Sequence, residues 1–279
     1  MNKYNKFFEH EHLAWLSDIH LNFLSGTTML KFCYSLRENK NIDGVLISGD
    51  IAEGNSIERY LGYLEDMINK PIYFVLGNHD RYHSSFLEVN KSMKRFSPPR
   101  NISDNLHWVT NSGVIGLNQK VCLIGNDGWY DCQLGNYFDS SYSMNDWEFI
   151  SEVKNLDKTQ RLRMFQEIAK NAASDISLKL ELAIEKYDKI IMITHIPPFM
   201  ENARFRGQQT EPKILPFYTC KVMGDTLLNT MKQNPHKKLV VLCGHSHGFA
   251  RFQPLPNLVA YTSYAEYGNP KISEIVHIQ

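Results

Sequence analysis

The sequence lacks a net charge: its 30 lysines and arginines balance 30 aspartates and glutamates over 279 residues. That balance removes the electrostatic reason to expect a nucleic-acid partner or an acidic membrane surface. Paired cysteines are also missing. Cys33, Cys122, Cys132, Cys220 and Cys243 form no CxxC motif and are odd in number. This argues against a disulfide framework or a thiolate zinc site, and for a reducing compartment. No stretch approaches the roughly 20 apolar residues of a membrane span. The opening MNKYNKFFEHEHLAWLSD carries early lysines but no apolar stretch of signal-peptide length. There is no internal repeat and no low-complexity segment. The expectation is a soluble cytoplasmic protein.

What is present is a set of short apolar runs with a common ending. LAWLSD stops at Asp18, GVLISGD at Asp50, IYFVLGNHD at Asn78, His79 and Asp80, KIIMITH at His195, and LVVLCGH at His245. Each run is apolar throughout rather than alternating, the pattern of strands buried on both faces. Helical patterns lie between them. TTMLKFCYSLRENK follows the first run. SIERYLGYLEDMINK follows the second, with Ser56 as a candidate N-cap and Pro71 just past its end. The alternation predicts an α/β core with helices on the sheet faces, and two packed sheets with outer helices would accommodate all the strands. LHWVT and VCLIGND, joined by NSGVIG, read as neighbours in a meander, and LVAYTS and ISEIVHI as another pair. The charged, proline-free stretch from Asn145 to Tyr187 reads as two or more helices. The expected organisation is one domain over 1–279 with a helical excursion around 145–187.

In open α/β sheets, sites form beyond the carboxyl ends of strands. Those ends here deliver Asp18 with His20, Asp50, Asn78 with His79 and Asp80, His195, and His245 with His247. A single Asp or His after a strand is commonly a turn former or a hydrogen-bonded structural residue. Repetition at five strand ends is not explained that way. The donors are oxygen and nitrogen without sulfur, which suits Mn, Fe or Zn better than Ca or Mg. They outnumber the needs of one four-coordinate zinc, so two metals is the natural count. A bridging ligand needs two oxygens, and Asp50 is a better candidate than Asp18 because its strand is flanked on both sides.

Taken in order, the blocks SDIH, SGD, GNHD, ITHIPP and GHSH resemble the calcineurin-like metallophosphoesterases, and they span Asp18 to His247. GNDGWYD and the charged region after it are similar to many bacterial members. The resemblance implies a two-sheet mixed β sandwich flanked by helices, which agrees with the strand pattern. It also implies a ligand set: Asp18, His20 and His247 on one metal, Asn78, His195 and His245 on the second, and Asp50 between them. His79 would stand beside the phosphate and assist the leaving group. Asp80 either orients His79 or is a turn residue. The implied activity is hydrolysis of phosphate mono- or diesters of small molecules by a metal-bridging hydroxide, formed near neutral pH because two cations lower the pKa of water. GNHD and the His-x-Pro-Pro turn are similar to small diesterases of the family, but Thr194 stands where those often carry a second histidine. The alternative is a non-catalytic scaffold on the same fold, against which every ligand position is filled and His79 is retained.

Other side chains carry two readings each. Arg204 and Arg206, in the irregular segment after His195, are phosphate contacts or ordinary exposed arginines. His83 approaches the site or lies on the surface. Trp129 and Tyr130 line the pocket or pack in the core. Glu53 supports the loop that carries Asp50.

Overall fold

The computed structural model describes residues 9–99, 101–103, 105–205 and 207–279. Arg206 therefore lies outside the described residues. Among the described residues thirteen strands run in chain order: β1 (His12–Leu16), β2 (Gly44–Ser48), β3 (Ile72–Val75), β4 (Leu106–Trp108), β5 (Ile115–Gly116), β6 (Val121–Gly125), β7 (Lys189–Ile193), β8 (Arg204–Phe205), β9 (Gln208–Gln209), β10 (Lys238–Cys243), β11 (Ala250–Leu255), β12 (Leu258–Thr262) and β13 (Glu274–His277). The helices are α1 (Gly26–Glu38), α2 (Ile57–Ile68), α3 (Phe86–Met93), α4 (Asp146–Phe149), α5 (Lys158–Lys186) and α6 (Lys221–Gln233).

Strands β13-β1-β2-β3-β4 form one sheet, β11-β12-β10-β7-β6-β5 the other, and β8-β9 a small hairpin. Each large sheet has a parallel centre with antiparallel strands at its edges: β13 in the first, β5 and β11 in the second. Alternation along β1 shows how the layers are built. Leu13 and Trp15 point into the layer between the sheets, where they meet Leu123, Ile193 and Leu242. Ala14 and Leu16 point the other way, into a core shared with Leu36 of α1 and Leu61 of α2. The second sheet buries its outer face against α5 and α6 through Phe165, Ile176, Leu227 and Met231. The result is the expected sandwich flanked by helices. Both faces of the central strands are covered, which is why their sequences are apolar throughout.

Two expected pairings do not form. β4 pairs with β3 in the first sheet, whereas β6 lies in the second beside β5 and β7. Likewise β12 pairs with β10 and β11, while β13 crosses back to β1. A turn-rich link of a few residues serves a hairpin and a crossover between layers equally well, and only packing distinguishes them. Ser56 precedes α2, but its hydroxyl donates to Glu53 O rather than capping the helix. The 145–187 region contains the four-residue α4 and the 29-residue α5, which begins with an Asp157/Gln160 capping box. Lys179 of α5 is buried and donates to Thr110 O (2.7 Å) and Gly125 O (2.8 Å), pinning the helix to the loop ends of the sheets. Among the described residues no helix is long and apolar enough to cross a membrane.

Candidate metal centre

The donor residues sit just beyond the ends of β1, β2, β3, β7 and β10, where both sheets present the same edge. The chain turns sharply there. Asp18, His20, Asp50, His245 and His247 all hold positive φ, at 51°, 40°, 53°, 69° and 56°. Left-handed backbone at a non-glycine residue costs on the order of 1–3 kcal/mol and persists only where surroundings enforce it. The surroundings here are a net of hydrogen bonds between the loops. His20 N–H donates to Asp50 O (3.0 Å), Asp18 N–H to Gly49 O (3.0 Å), His245 N–H to Asp18 Oδ1 (2.9 Å) and His79 N–H to Asp50 Oδ1 (2.9 Å). Two glycines let the loops close. A Cβ on Gly77 would lie 2.1 Å from Asp50 Oδ1 and 2.7 Å from His195 Nε2, and one on Gly244 would lie 2.2 Å from Asp18 Oδ2.

Two groups of donors result. In the first, ligand atoms of Asp18, His20, Asp50 and His247 all lie within 4.8 Å of one another. Nε2 of His20 and Nε2 of His247 face each other at 3.4 Å, and His247 Nε2 is 3.3 Å from Asp18 Oδ1. In the second, Asn78 Oδ1 is 3.1 Å from His195 Nε2 and 3.0 Å from His245 Nδ1, and His195 Nε2 is 3.4 Å from Asp50 Oδ1. Asp50 belongs to both, with Oδ2 3.8 Å from His20 Nε2.

The far side of the second group tests whether a cation fits it. His195 Nδ1 is 2.9 Å from Ser48 O, and His245 Nε2 is 2.9 Å from Phe217 O. A carbonyl only accepts, so those ring nitrogens carry the protons, and in a neutral ring the inner nitrogen offers a lone pair. Asn78 Nδ2 likewise points away, donating to Asp146 Oδ1 (2.8 Å) and Tyr82 Oη (3.1 Å), which turns Oδ1 inward. With both rings neutral the inner atoms are acceptors facing acceptors, an arrangement that a positive ion satisfies.

The electrostatics agree. Burial opposes ionisation of Asp50, yet the imidazoles of His195 and His79 hold it well below the usual carboxylate range. Asp18 follows the same pattern, with burial outweighed by His247. Burial pushes His20 and His245 down to about 3, so both rings are neutral with lone pairs free. Burial works against a charge on His195, but Asp50 raises it to about 10. In the absence of a cation, Asp50 thus keeps a second proton on the inner nitrogen of His195, the position a cation would take by displacing it.

His79 borders the cleft, its Nε2 3.9 Å from Asp50 Oδ2 and 3.5 Å from the Tyr267 hydroxyl. The Asp80 carboxylate does not bond to the His79 ring. It accepts from Ile51 N–H and Ala52 N–H at Oδ1 and from Gly77 N–H at Oδ2, each at 2.8 Å, clamping the Asp50 loop to the GNHD loop. His79 Nδ1 is buried and has no hydrogen-bond partner among the described residues. Arg204 is exposed on the β8–β9 hairpin, while its neighbour Phe205 lines the cleft. Trp129 and Tyr130 lie in the core beside Phe165, with the Tyr130 hydroxyl donating to Asp146. His83 is half-exposed beside Glu53.

Sequence reasoning missed several contributors. The Phe217 carbonyl, Asp146 and Tyr267 sit in segments with no strand-end signal. Tyr267 stacks on His20 with ring centroids 4.4 Å apart and forms one wall of a cleft of about 270 Å³, with Tyr142 and Tyr218 also lining it. Asp127, from GNDGWYD, accepts from Leu76 N–H and Trp108 Nε1 and pairs with buried Arg81 at 2.8 Å, anchoring the GNHD loop from behind.

Comparison with known proteins gives a consistent result. The 3',5'-cyclic adenosine monophosphate phosphodiesterase CpdA of Haemophilus influenzae is 30% identical over 124 residues, 38% of this chain and 43% of that protein. The chain therefore spans less than half the length of this relative. Among solved structures, the phosphopantetheinyl hydrolase of Mycobacterium tuberculosis aligns with a TM-score of 0.61 at 12% identity, over 93% of this chain and 90% of that one. A dimetal phosphatase from Danio rerio aligns with a TM-score of 0.57 at 14% identity, over 95% and 89%. At these identities the likeness is one of fold. The model of the calcineurin-like phosphoesterase family, a metal-dependent family, matches residues 12–249. That match runs from β1 through the GHSH turn, and the chain belongs to the calcineurin-like phosphoesterase family.

Proposed function

We propose that this protein is a binuclear metal-dependent phosphoesterase, a single-domain hydrolase of phosphate mono- or diesters. Asp18, His20 and His247 would hold one ion, Asn78, His195 and His245 the other, and Asp50 would be shared by both. The observation that carries this reading is the position of Asp50, whose Oδ1 lies 3.4 Å from His195 Nε2 and whose Oδ2 lies 3.8 Å from His20 Nε2. One carboxylate faces two separate donor groups, which is what a bridging ligand requires. The mixed nitrogen and oxygen donors favour Mn, Fe or Zn.

When bound, the two ions supply a hydroxide nucleophile near neutral pH and neutralise charge on the phosphoryl oxygens. The chain's own groups do the rest. His79 borders the cleft and donates a proton to the departing oxygen. Asp80 keeps the Asp50 and His79 loops in register through its three backbone hydrogen bonds. The cleft of about 270 Å³ suits a small phosphoester, a class that includes the cyclic nucleotide in the name of the Haemophilus relative. Five buried free thiols accord with a reducing, cytoplasmic setting.

Purified chain supplied with Mn is expected to hydrolyse p-nitrophenyl phosphate or its bis-ester. Asp50→Asn should lose metal and rate together. His79→Ala should keep its metal and lose roughly 10²–10⁴-fold in rate, the usual worth of a general acid. Failure to cleave either ester, with metal content unchanged in Asp50→Asn, overturns the proposal.

A further inference from the structure

Of all the proposed ligands, Asn78 is the one whose donor atom depends on an internal choice. A carboxylate presents oxygen either way round, and an imidazole presents nitrogen. A carboxamide presents oxygen on one side and an NH₂ group on the other, and the NH₂ side binds no cation. Something must select the orientation.

Asp146 lies opposite that choice. It is fully buried, and its Oδ1 accepts from Asn78 Nδ2 at 2.8 Å and from the Tyr82 hydroxyl at 2.6 Å. Its Oδ2 accepts from the Tyr130 hydroxyl at 2.8 Å. The two tyrosines hold the carboxylate in place, and Tyr82 also accepts from Asn78 Nδ2 at 3.1 Å. An ionised carboxylate accepts only. A flipped amide would set the Asn78 carbonyl against it at a buried position, at a cost of the order of an unmade buried hydrogen bond.

Asp146 belongs to none of the five strand-end blocks. It is the first residue of α4, a single turn at the start of the charged middle region. That turn is itself mounted on the chain just after GNHD. His83 N–H donates to Phe149 O (2.8 Å), Ser151 N–H donates to Ser84 O (3.0 Å), and Ser84 bridges to Ile150. Asn145, next to Asp146, lines the cleft.

We propose that Asp146 is a positioning residue of the metal centre: through its hydrogen bond to Nδ2 it fixes the amide of Asn78 so that Oδ1 faces the second ion. This rests on the reading of Asn78 as a ligand of that ion. It makes the helical excursion part of the metal site rather than an appendage to it.

The test is a Mn titration of the metal-free full-length chain by calorimetry, with no substrate present. Asp146→Ala should weaken one of two ions by about 10–100-fold, the usual cost of losing an outer hydrogen-bond partner of a ligand, and leave the other unchanged. Asp146→Asn, whose amide oxygen still accepts from Asn78, should recover most of that loss. The double variant Asn78→Ala/Asp146→Ala should bind no more weakly than Asn78→Ala alone, because Asp146 acts through Asn78. A purely structural role would make the two losses add. If Asp146→Ala fails to fold by circular dichroism, Tyr82→Phe carries the test, with a several-fold loss expected at the same ion. Unchanged affinity in the folded variants, or additive losses, overturns the role of Asp146 while leaving the binuclear reading intact. A wild-type chain that binds fewer than two ions overturns both.

Discussion

The two halves of the donor cluster are built differently. The half formed by Asn78, His195 and His245 is locked from behind. Each ligand's outer atom is tied to a fixed acceptor: Asp146, the Ser48 carbonyl or the Phe217 carbonyl. All three side chains are buried. The half formed by Asp18, His20 and His247 is held mainly by backbone. His20 and His247 sit at φ 40° and 56°, His20 Nδ1 is buried with no hydrogen-bond partner among the described residues, and His247 is partly open to the cleft beside half-exposed Tyr267. Positive φ is common to both halves, at His245 as well as His20 and His247, so what separates them is the set of hydrogen bonds to the outer ring and amide atoms of the first. Outer partners raise ligand basicity and fix direction, so the locked half should hold its ion more tightly and release it last.

The comparison breaks most severely if both halves are disturbed together. Gly77→Ala places a Cβ 2.1 Å from Asp50 Oδ1 and 2.7 Å from His195 Nε2, so the shared carboxylate must move. Overpacking of this kind costs about 1–3 kcal/mol, and displacement of the reacting groups by about 1 Å costs on the order of 10²-fold in rate. A thermal melt and a metal assay should show lower stability and weaker binding of both ions. Wild-type binding of both would mean that the loops are less tightly packed than the distances imply.

A sharper cut separates the halves. His245→Ala and His247→Ala should each weaken a different ion, by at least about tenfold, with the tighter ion lost in His245→Ala and the weaker in His247→Ala. Stepwise chelation followed by elemental analysis reads this directly. The same ion lost in both variants would collapse the distinction between the halves. The smallest effect is expected at the open rim. Tyr267→Phe removes a hydroxyl 3.5 Å from His79 Nε2 and leaves the ring stacked on His20. A net hydrogen bond of about 0.5–1.5 kcal/mol corresponds to roughly 2–10-fold, seen in kcat, with metal affinity unchanged. A loss of metal in Tyr267→Phe would assign the phenol to the open half itself.

The seven proposed ligands were legible because each lies within a few residues of an apolar strand, where chain chemistry and chain geometry change together. His79 was legible for the same reason. Asp80 was visible as a polar residue, but its neighbour in sequence is not its neighbour in hydrogen bonding: its carboxylate turns to Ile51, Ala52 and Gly77 instead of the His79 ring. Asp146 was not legible at all, since an acidic residue opening a short helix is ordinary and its partner Asn78 is 68 residues away. The assignment of β4 and β6 to different sheets was likewise beyond local pattern, because turn residues do not encode which layer the chain enters next.

By itself the sequence determined which donors are present, in what order, and that they follow strands buried on both faces. Those properties are local, set by residue type and by the period of apolar positions over a few residues. Tertiary structure alone decided that Asp50 stands between two donor groups, that ring and amide orientations are set by Ser48, Phe217 and Asp146, and that tyrosines wall the cleft. These depend on distances of a few ångströms between residues far apart in the chain, and such distances exist only once the two sheets have packed.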